Sequence, residues 1–118
     1  MPSLFEVSAG KLAGPTTGGT VTQATNKTTG VTLNTESGQI TMNDAALGAA
    51  AEASFTVTND KIAATDVVVA VHGSAGTAGS YLVGVSAIAA GSFGITVTNV
   101  SGGSLSEAIV LNYKIIKG

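Results

Sequence analysis

Apolar and polar residues alternate along most of the chain from Thr20 onward, in short runs separated by Gly, Asn, Asp and Ser. Alternation with a period of two places successive side chains on opposite faces of a strand. One run puts Phe55 and Val57 on the same face, and another does so for Phe93 and Val97. Runs of this kind bounded by turn residues are typical of β-strands, so the pattern predicts an all-β domain.

The pattern predicts about eight strands and no helix. They cover residues 20–25, 31–34, 39–42, 52–58, 66–72, 81–88, 92–100 and 107–117. Between residues 43 and 51 we predict a loop held by Leu47, because Gly48 would end any helical turn. Short strands at fairly regular spacing are typical of a sandwich or a small barrel, and we expect an antiparallel, jelly-roll-like β-sandwich.

Residues 67–106 form a segment of forty residues without Asp, Glu, Lys or Arg. The strand that begins this segment is apolar on both faces, which predicts a central position in a sheet or a place at an interface. We predict that the strand at 81–88 pairs back onto it through the loop at 73–80, and that residues 101–104 close a second hairpin. A small monomer would normally carry charge on such a segment, so we expect copies of the chain to cover it.

The first nineteen residues sustain no period, and we interpret them as an N-terminal arm ahead of a β-sandwich domain at 20–118. A Gly- and Thr-rich connector at 14–19 separates the two. The arm is either a frayed terminus or an anchor that docks on a neighbouring protein. Its candidate contacts in the second case are its apolar side chains, Leu4, Phe5, Val7 and Leu12.

Composition narrows the class of protein. The chain has 118 residues and no cysteine, which predicts one domain and excludes disulfides, thiolate metal sites and Cys nucleophiles. Five lysines, no arginine and seven acids give a net charge of −2, which argues against nucleic acid as a partner. No basic segment followed by an apolar one begins the chain, and no run reaches the ~18 apolar residues of a membrane span. We therefore expect synthesis as a soluble cytoplasmic chain without a membrane partner.

Few residues are candidates for chemistry. His72 is the single histidine, and without a nucleophile turn or a second histidine we interpret it as structural or as a surface residue. Glu36 and Glu52 could form a glycosidase pair only if the fold brought them together. We predict no catalytic residue, no metal and no cofactor. Tyr81, beside the loop at 73–80, is the candidate contact for a glycan, since the chain has no tryptophan.

Three segments carry a family resemblance: TVTQATNKTTGVTLNTESGQITMNDAALGA (20–49), AEASFTVTNDKIAATDVVVAVHGSAGTAGSY (51–81) and AIAAGSFGITVTNVSGGSLSEAIVLNYKIIKG (87–118). They resemble a domain of tailed-phage and prophage virion proteins, which include capsid decoration or cement proteins, head fibres and tail-fibre tips. The resemblance implies a β-rich module, a homotrimer, and display on a phage particle. It supplies no catalytic motif and no site residue.

These observations predict a phage virion structural protein. We expect a capsid decoration, cement or head-fibre protein that forms trimers and binds the major capsid protein or another virion protein. Its final location would be the virion, after synthesis in the host cytoplasm. The alternative is the receptor- or glycan-binding tip module of a tail fibre, with a surface glycan as its ligand.

Overall fold

Eight β-strands and no helix make up residues 18–118, the part of the chain that a computed structural model describes. In chain order they are β1 (Gly19–Thr22), β2 (Val31–Thr32), β3 (Ser37–Thr41), β4 (Glu52–Thr58), β5 (Val67–Ser74), β6 (Tyr81–Ala89), β7 (Ser92–Asn99) and β8 (Val110–Ile116). The predicted all-β fold is confirmed. Nothing in residues 18–118 is a helix long and apolar enough to cross a membrane.

The strands form two four-stranded sheets, in the orders β1-β3-β8-β5 and β2-β4-β7-β6. The predicted β-sandwich is confirmed, with one difference: β1 runs parallel to β3, and β2 runs parallel to β4. Parallel neighbours need a crossover connection. The intervening strand supplies it here, because β2 lies in the sheet opposite to β1 and β3. The jelly-roll connectivity stays a prediction.

Two predicted hairpins are wrong. β5 and β6 lie in opposite sheets, and so do β7 and β8, so that both connections cross the sandwich. A turn-forming sequence shows that the chain reverses, but it does not show whether the returning strand joins the same sheet or the facing one. The turn at residues 89–91 does join two antiparallel neighbours, β6 and β7.

The interior of the sandwich is filled by the alternating faces that the sequence predicts. Its fully buried side chains include Ile40, Met42, Val57, Phe93, Ile95, Val97, Ile109, Leu111 and Ile115. Phe93 of β7 and Tyr113 of β8 join the two sheets, with ring centroids 5.5 Å apart at 59°. Leu47 is buried and pairs with Leu105 in an isolated bridge, which confirms that it holds the loop at 43–51.

The prediction of a central position for the most apolar strand is wrong, because β5 is the edge strand of its sheet. Its inward face contributes Val68 and part of Ala70 to the core, whereas Val67, Val69 and Val71 point outward. Each of these three is about half exposed, at 54, 48 and 48%. The alternative, that this strand lies at an interface, stays a prediction.

Two buried asparagines end β4 and β7 in the same way. Asn59 and Asn99 each follow a Thr-Val-Thr sequence and are completely buried. The Asn99 amide donates to the carbonyl oxygens of Leu47 (2.8 Å) and Gly103 (2.9 Å), while its oxygen accepts from the Ser101 N–H at 2.9 Å. The repeated sequence therefore ends both strands with the same chemistry, in which the asparagine side chain turns its own chain and also holds a crossing loop.

Asn59 makes the equivalent contacts at the other end of the sandwich. Its amide donates to the Thr35 carbonyl oxygen at 2.8 Å and to the Tyr113 hydroxyl at 3.2 Å. Its oxygen accepts from the Lys61 N–H at 2.7 Å. Both side-chain amides are buried and hydrogen-bonded through their nitrogen and their oxygen. Each therefore fixes the position of a loop against the end of its strand, which apolar packing alone would not do.

A carboxylate joins the start of β5 to the residues after β8. Asp66 accepts from the Lys117 ammonium at 2.6 Å, from the Gly118 N–H at 3.0 Å and from the Ala63 N–H at 2.8 Å. The Asp66 side chain is only 2% exposed. These donors, the Lys117 ammonium first, lower the pKa of Asp66 to about 2, against the effect of desolvation.

We expect the free energy of unfolding to fall as the pH drops from about 4, the pKa of an Asp in an unfolded chain, towards the native pKa of about 2. The ionised form is favoured in the fold, so its contribution is complete above this window and is lost within it. Asp66→Asn should lower stability at neutral pH and flatten the slope between the two values. Urea unfolding from pH 2 to 7 measures both the stability at neutral pH and the slope. Asp60 is an exposed carboxylate nearby, so Asp60→Asn is the control. A pH slope in Asp66→Asn equal to that of the wild type would contradict the lowered pKa of Asp66.

Candidate functional site

The first candidate site is an open cavity of about 340 Å³ where β5 ends and β6 begins. It is lined by His72, Gly73, Ser74, Ala75, Gly76, Ala78, Gly79 and Tyr81. Most of these side chains are small, so the wall consists largely of backbone. The cavity lies at the loop where the sequence analysis placed a glycan contact.

The loop has a sharp turn that only certain residues allow. Ala75 and Gly76 both have left-handed backbone conformations, with φ of 61° and 71°. A Cβ on Gly76 would lie 2.6 Å from the Ile109 side chain and 2.9 Å from Glu107 Oε1, so glycine is required there on both grounds. His72 holds the same turn, since its Nε2 lies 2.6 Å from the Ala75 carbonyl oxygen and acts as the donor.

The carboxylate of Glu107 connects this loop to the first residue of β6. Glu107 accepts from the Tyr81 hydroxyl at 2.7 Å, from the Thr77 N–H at 3.0 Å and from the Thr77 hydroxyl at 2.8 Å. Burial of the phenol, followed by the carboxylate beside it, raises the pKa of Tyr81 to about 12. The Tyr81 hydroxyl in turn is the main cause that lowers the pKa of Glu107. Around neutral pH Tyr81 is therefore a protonated donor and Glu107 an ionised acceptor.

This cluster braces the loop. The Glu107 carboxylate accepts three hydrogen bonds, one of them from the Tyr81 hydroxyl and two from Thr77. A general base or a nucleophile needs a group that is free to meet a substrate. The Tyr81 hydroxyl and the Glu107 carboxylate are instead hydrogen-bonded to each other, and together they hold the wall of the recess in place.

The residues predicted from sequence fall in different places. Tyr81 lies in the cavity wall but is only 7% exposed, and its ring meets His72 edge-on at 5.4 Å, so it does not present an open face for stacking. Its contact with a ligand stays a prediction. Glu36 precedes β3 and Glu52 begins β4, in opposite sheets. Glu107 is not among the site residues predicted from sequence, and the only sequence feature that marks it is its position directly after the uncharged segment.

The candidate arm contacts Leu4, Phe5, Val7 and Leu12 lie outside the described residues. Among residues 18–118, no three His, Asp or Glu side chains form a group that could hold a metal ion.

The second candidate site is an exposed apolar surface on the outside of the β1-β3-β8-β5 sheet. It consists of Val67, Val69 and Val71 on β5 together with Ile116 on β8, and we refer to these four residues as the aliphatic strip. Ile116 is directly opposite Val67 and is 48% exposed. Lys114, opposite Val69, and Asn112, opposite Val71, form the polar border of the strip.

Comparison of the chain with protein-family models, with curated proteins and with solved structures gives no match.

Proposed function

We propose that this protein is a structural component of a phage virion, a capsid decoration, cement or head-fibre protein that assembles as a trimer. The observation that carries the proposal is the aliphatic strip on a long, uncharged edge strand. A surface of this kind is typical of a protein that is covered in its working state by copies of itself or by a larger assembly.

The composition supports the same function. Charged residues make up 10% of the chain, against about 25% in an ordinary soluble domain. On the outer face of the other sheet, hydroxyl groups replace charges, as in the Ser54–Thr96 pair at 2.6 Å. A neutral surface rich in hydrogen-bonding groups suits a protein displayed on a particle. The resemblance of three segments to phage virion modules is the second support.

We propose that the N-terminal arm holds the module on the capsid, through Leu4, Phe5, Val7 and Leu12. Residues 18–118 form both sheets of the β-sandwich, and the arm precedes them in the chain. Bound at a junction between capsid subunits, it would add apolar burial at about 25 cal/mol per Å² before the costs of association. Such burial would stabilise the shell against the pressure of packaged DNA.

Deletion of residues 1–15 is expected to abolish capsid binding and leave the fold intact, because both sheets described above are formed within residues 19–116. Cosedimentation with empty capsids of the phage that encodes the chain measures binding, and circular dichroism with thermal unfolding measures the fold. A second variant keeps residues 1–15 but has Leu4, Phe5, Val7 and Leu12 changed to serine. It tests whether these apolar side chains carry the binding, and it should lose binding as well. Normal decoration by the truncated protein would contradict the arm proposal.

The alternative function is a receptor- or glycan-binding tip module of a tail fibre, and the observation that favours it is the cavity at the β5–β6 loop. Its lining offers backbone groups and the Ser74 hydroxyl to a polar ligand. Binding on a glycan array, lost when the turn is disturbed by Gly76→Ala but retained in Thr56→Ala, would support it. An array without any binding would count against it.

A further inference from the structure

The exposed large apolar residues of the described chain all lie towards one side of the sandwich. Besides the four residues of the aliphatic strip, they are Leu82 on β6 and Val100 directly after β7. β5 and β6 are the edge strands on this side, with eight and nine residues. On the opposite side the edge strands β1 and β2 have only four and two residues, and none of these large exposed apolar side chains.

This asymmetry has a physical meaning. An edge strand exposes unpaired N–H and C=O groups, and proteins that remain monomeric protect such edges with short strands, lysine or proline. The β1 and β2 edges are protected by their length. β5 carries no lysine or proline over its eight residues, and its outward side chains at Val67, Val69 and Val71 are apolar. Between Val67 and Val71 the β5 edge therefore lacks these protections, and its one irregularity is the register shift between His72 and Ser74.

We propose that a second copy of this chain covers it, with the aliphatic strips of neighbouring copies facing one another across a shared rotation axis. The charge distribution favours a copy over a foreign partner. Across a symmetry axis each residue lies near its own counterpart, so a charged strip would repel itself. β5 has no Asp, Glu, Lys or Arg, so it offers nothing to steer an oppositely charged partner, and the charge next to the strip is Lys114 on the neighbouring strand β8.

The dimensions are consistent with this arrangement. The four half-exposed side chains leave on the order of 300 Å² of apolar surface, comparable to the largest patch on a typical monomer. A stable interface needs roughly 800 Å² from each partner. The strip supplies the apolar centre of such an interface. The free edge of β5 supplies the rim on one side, and Asn112 and Lys114 of β8 supply it on the other. This inference rests on the self-association in the proposed function, but not on the capsid as a partner.

Val69, at the centre of the strip, is the residue to test. Val69→Lys places a charge where copies would meet, and the exposed position of the side chain leaves the core untouched. Light scattering over a concentration series should show the wild-type oligomer, and a Val69→Lys protein that stays monomeric to at least tenfold higher concentration. Thr56→Lys, on the outer face of the other sheet, is the matched control and should assemble like the wild type.

A cross-linking experiment gives an independent readout. The chain contains no cysteine, so Val69→Cys introduces a single thiol. Mild oxidation should convert it to a disulfide-linked pair of chains, whereas Thr56→Cys should stay as single chains at the same concentration. The proposal is overturned if wild-type protein is monomeric throughout, if Val69→Lys assembles normally, if both lysine variants dissociate alike, or if the two cysteine variants cross-link equally. Failure of the wild-type oligomer to bind capsids would contradict the proposed function and leave this inference standing.

Discussion

Phe93→Ala is expected to lower the free energy of unfolding by about 3–5 kcal/mol, a large part of the stability of a domain this size. Phe93 is completely buried at the middle of the sandwich and packs against Tyr113 of the facing sheet. Truncation removes the apolar area of the ring and leaves a cavity. Strands on both sides limit how far the neighbouring residues can close it.

Urea unfolding followed by circular dichroism measures this change, and Leu82→Ala is the matched control. Leu82 is likewise an apolar side chain cut back to alanine, although a smaller one, and it is 64% exposed on β6, so its substitution should change stability by no more than about 0.5 kcal/mol. Comparable losses in the two variants would mean that Phe93 does not occupy the core described above.

Asn99→Ala is expected to lower the free energy of unfolding by about 2–4 kcal/mol, since each buried group left without its partner costs about 1–3 kcal/mol. The substitution removes the donor to the carbonyl oxygens of Leu47 and Gly103, and the acceptor of the Ser101 N–H. The Leu47 carbonyl loses a partner inside the sandwich, where water does not easily replace it. We expect the loops at 43–51 and 101–104 to loosen together.

Thr98→Ala, one residue earlier on the outer face of β7, is the control, and it should have a much smaller effect. Amide hydrogen exchange at Leu47 and Leu105, whose N–H groups bond to each other's carbonyl oxygens, reports on the two loops directly. A stability loss in Asn99→Ala no greater than that of Thr98→Ala would show that the amide does not hold this junction.

The inward and outward faces of the strands were predictable from sequence, and the pairing of strands was not. Period-two alternation assigns Ile95 to the core and Thr96 to the surface whichever strand lies next to them, because the pleat alone decides the side. Pairing depends on contacts between distant segments, such as Ile40 opposite Leu111. The turn residues before β6 and β8 predicted chain reversal correctly but placed both strands in the wrong sheet.

The candidate sites show the same division. The apolar residues of β5 predicted an interface from sequence, but that they lie on an edge, with Ile116 from β8 added beside Val67, became visible only in the fold. The cluster of His72, Tyr81 and Glu107 draws on three separate segments, and no local spacing connects them. The shared strand ends at Asn59 and Asn99 were recognisable, since each asparagine turns its own chain, but the loops that they hold were not.

The position of β8 in its sheet has a consequence during synthesis. β8 lies between β3 and β5 although it follows both in the chain, whereas every strand of the other sheet falls within residues 31–99. A nascent chain that has emerged only as far as Ser106 can form the β2-β4-β7-β6 sheet. The apolar inner face of that sheet stays exposed, because the facing sheet still lacks β8. Closure of the sandwich must therefore await β8, a non-local step that is intrinsically slow. Ribosome-bound chains ending before Val110 should remain sensitive to protease and attract chaperones that recognise uncovered β-structure.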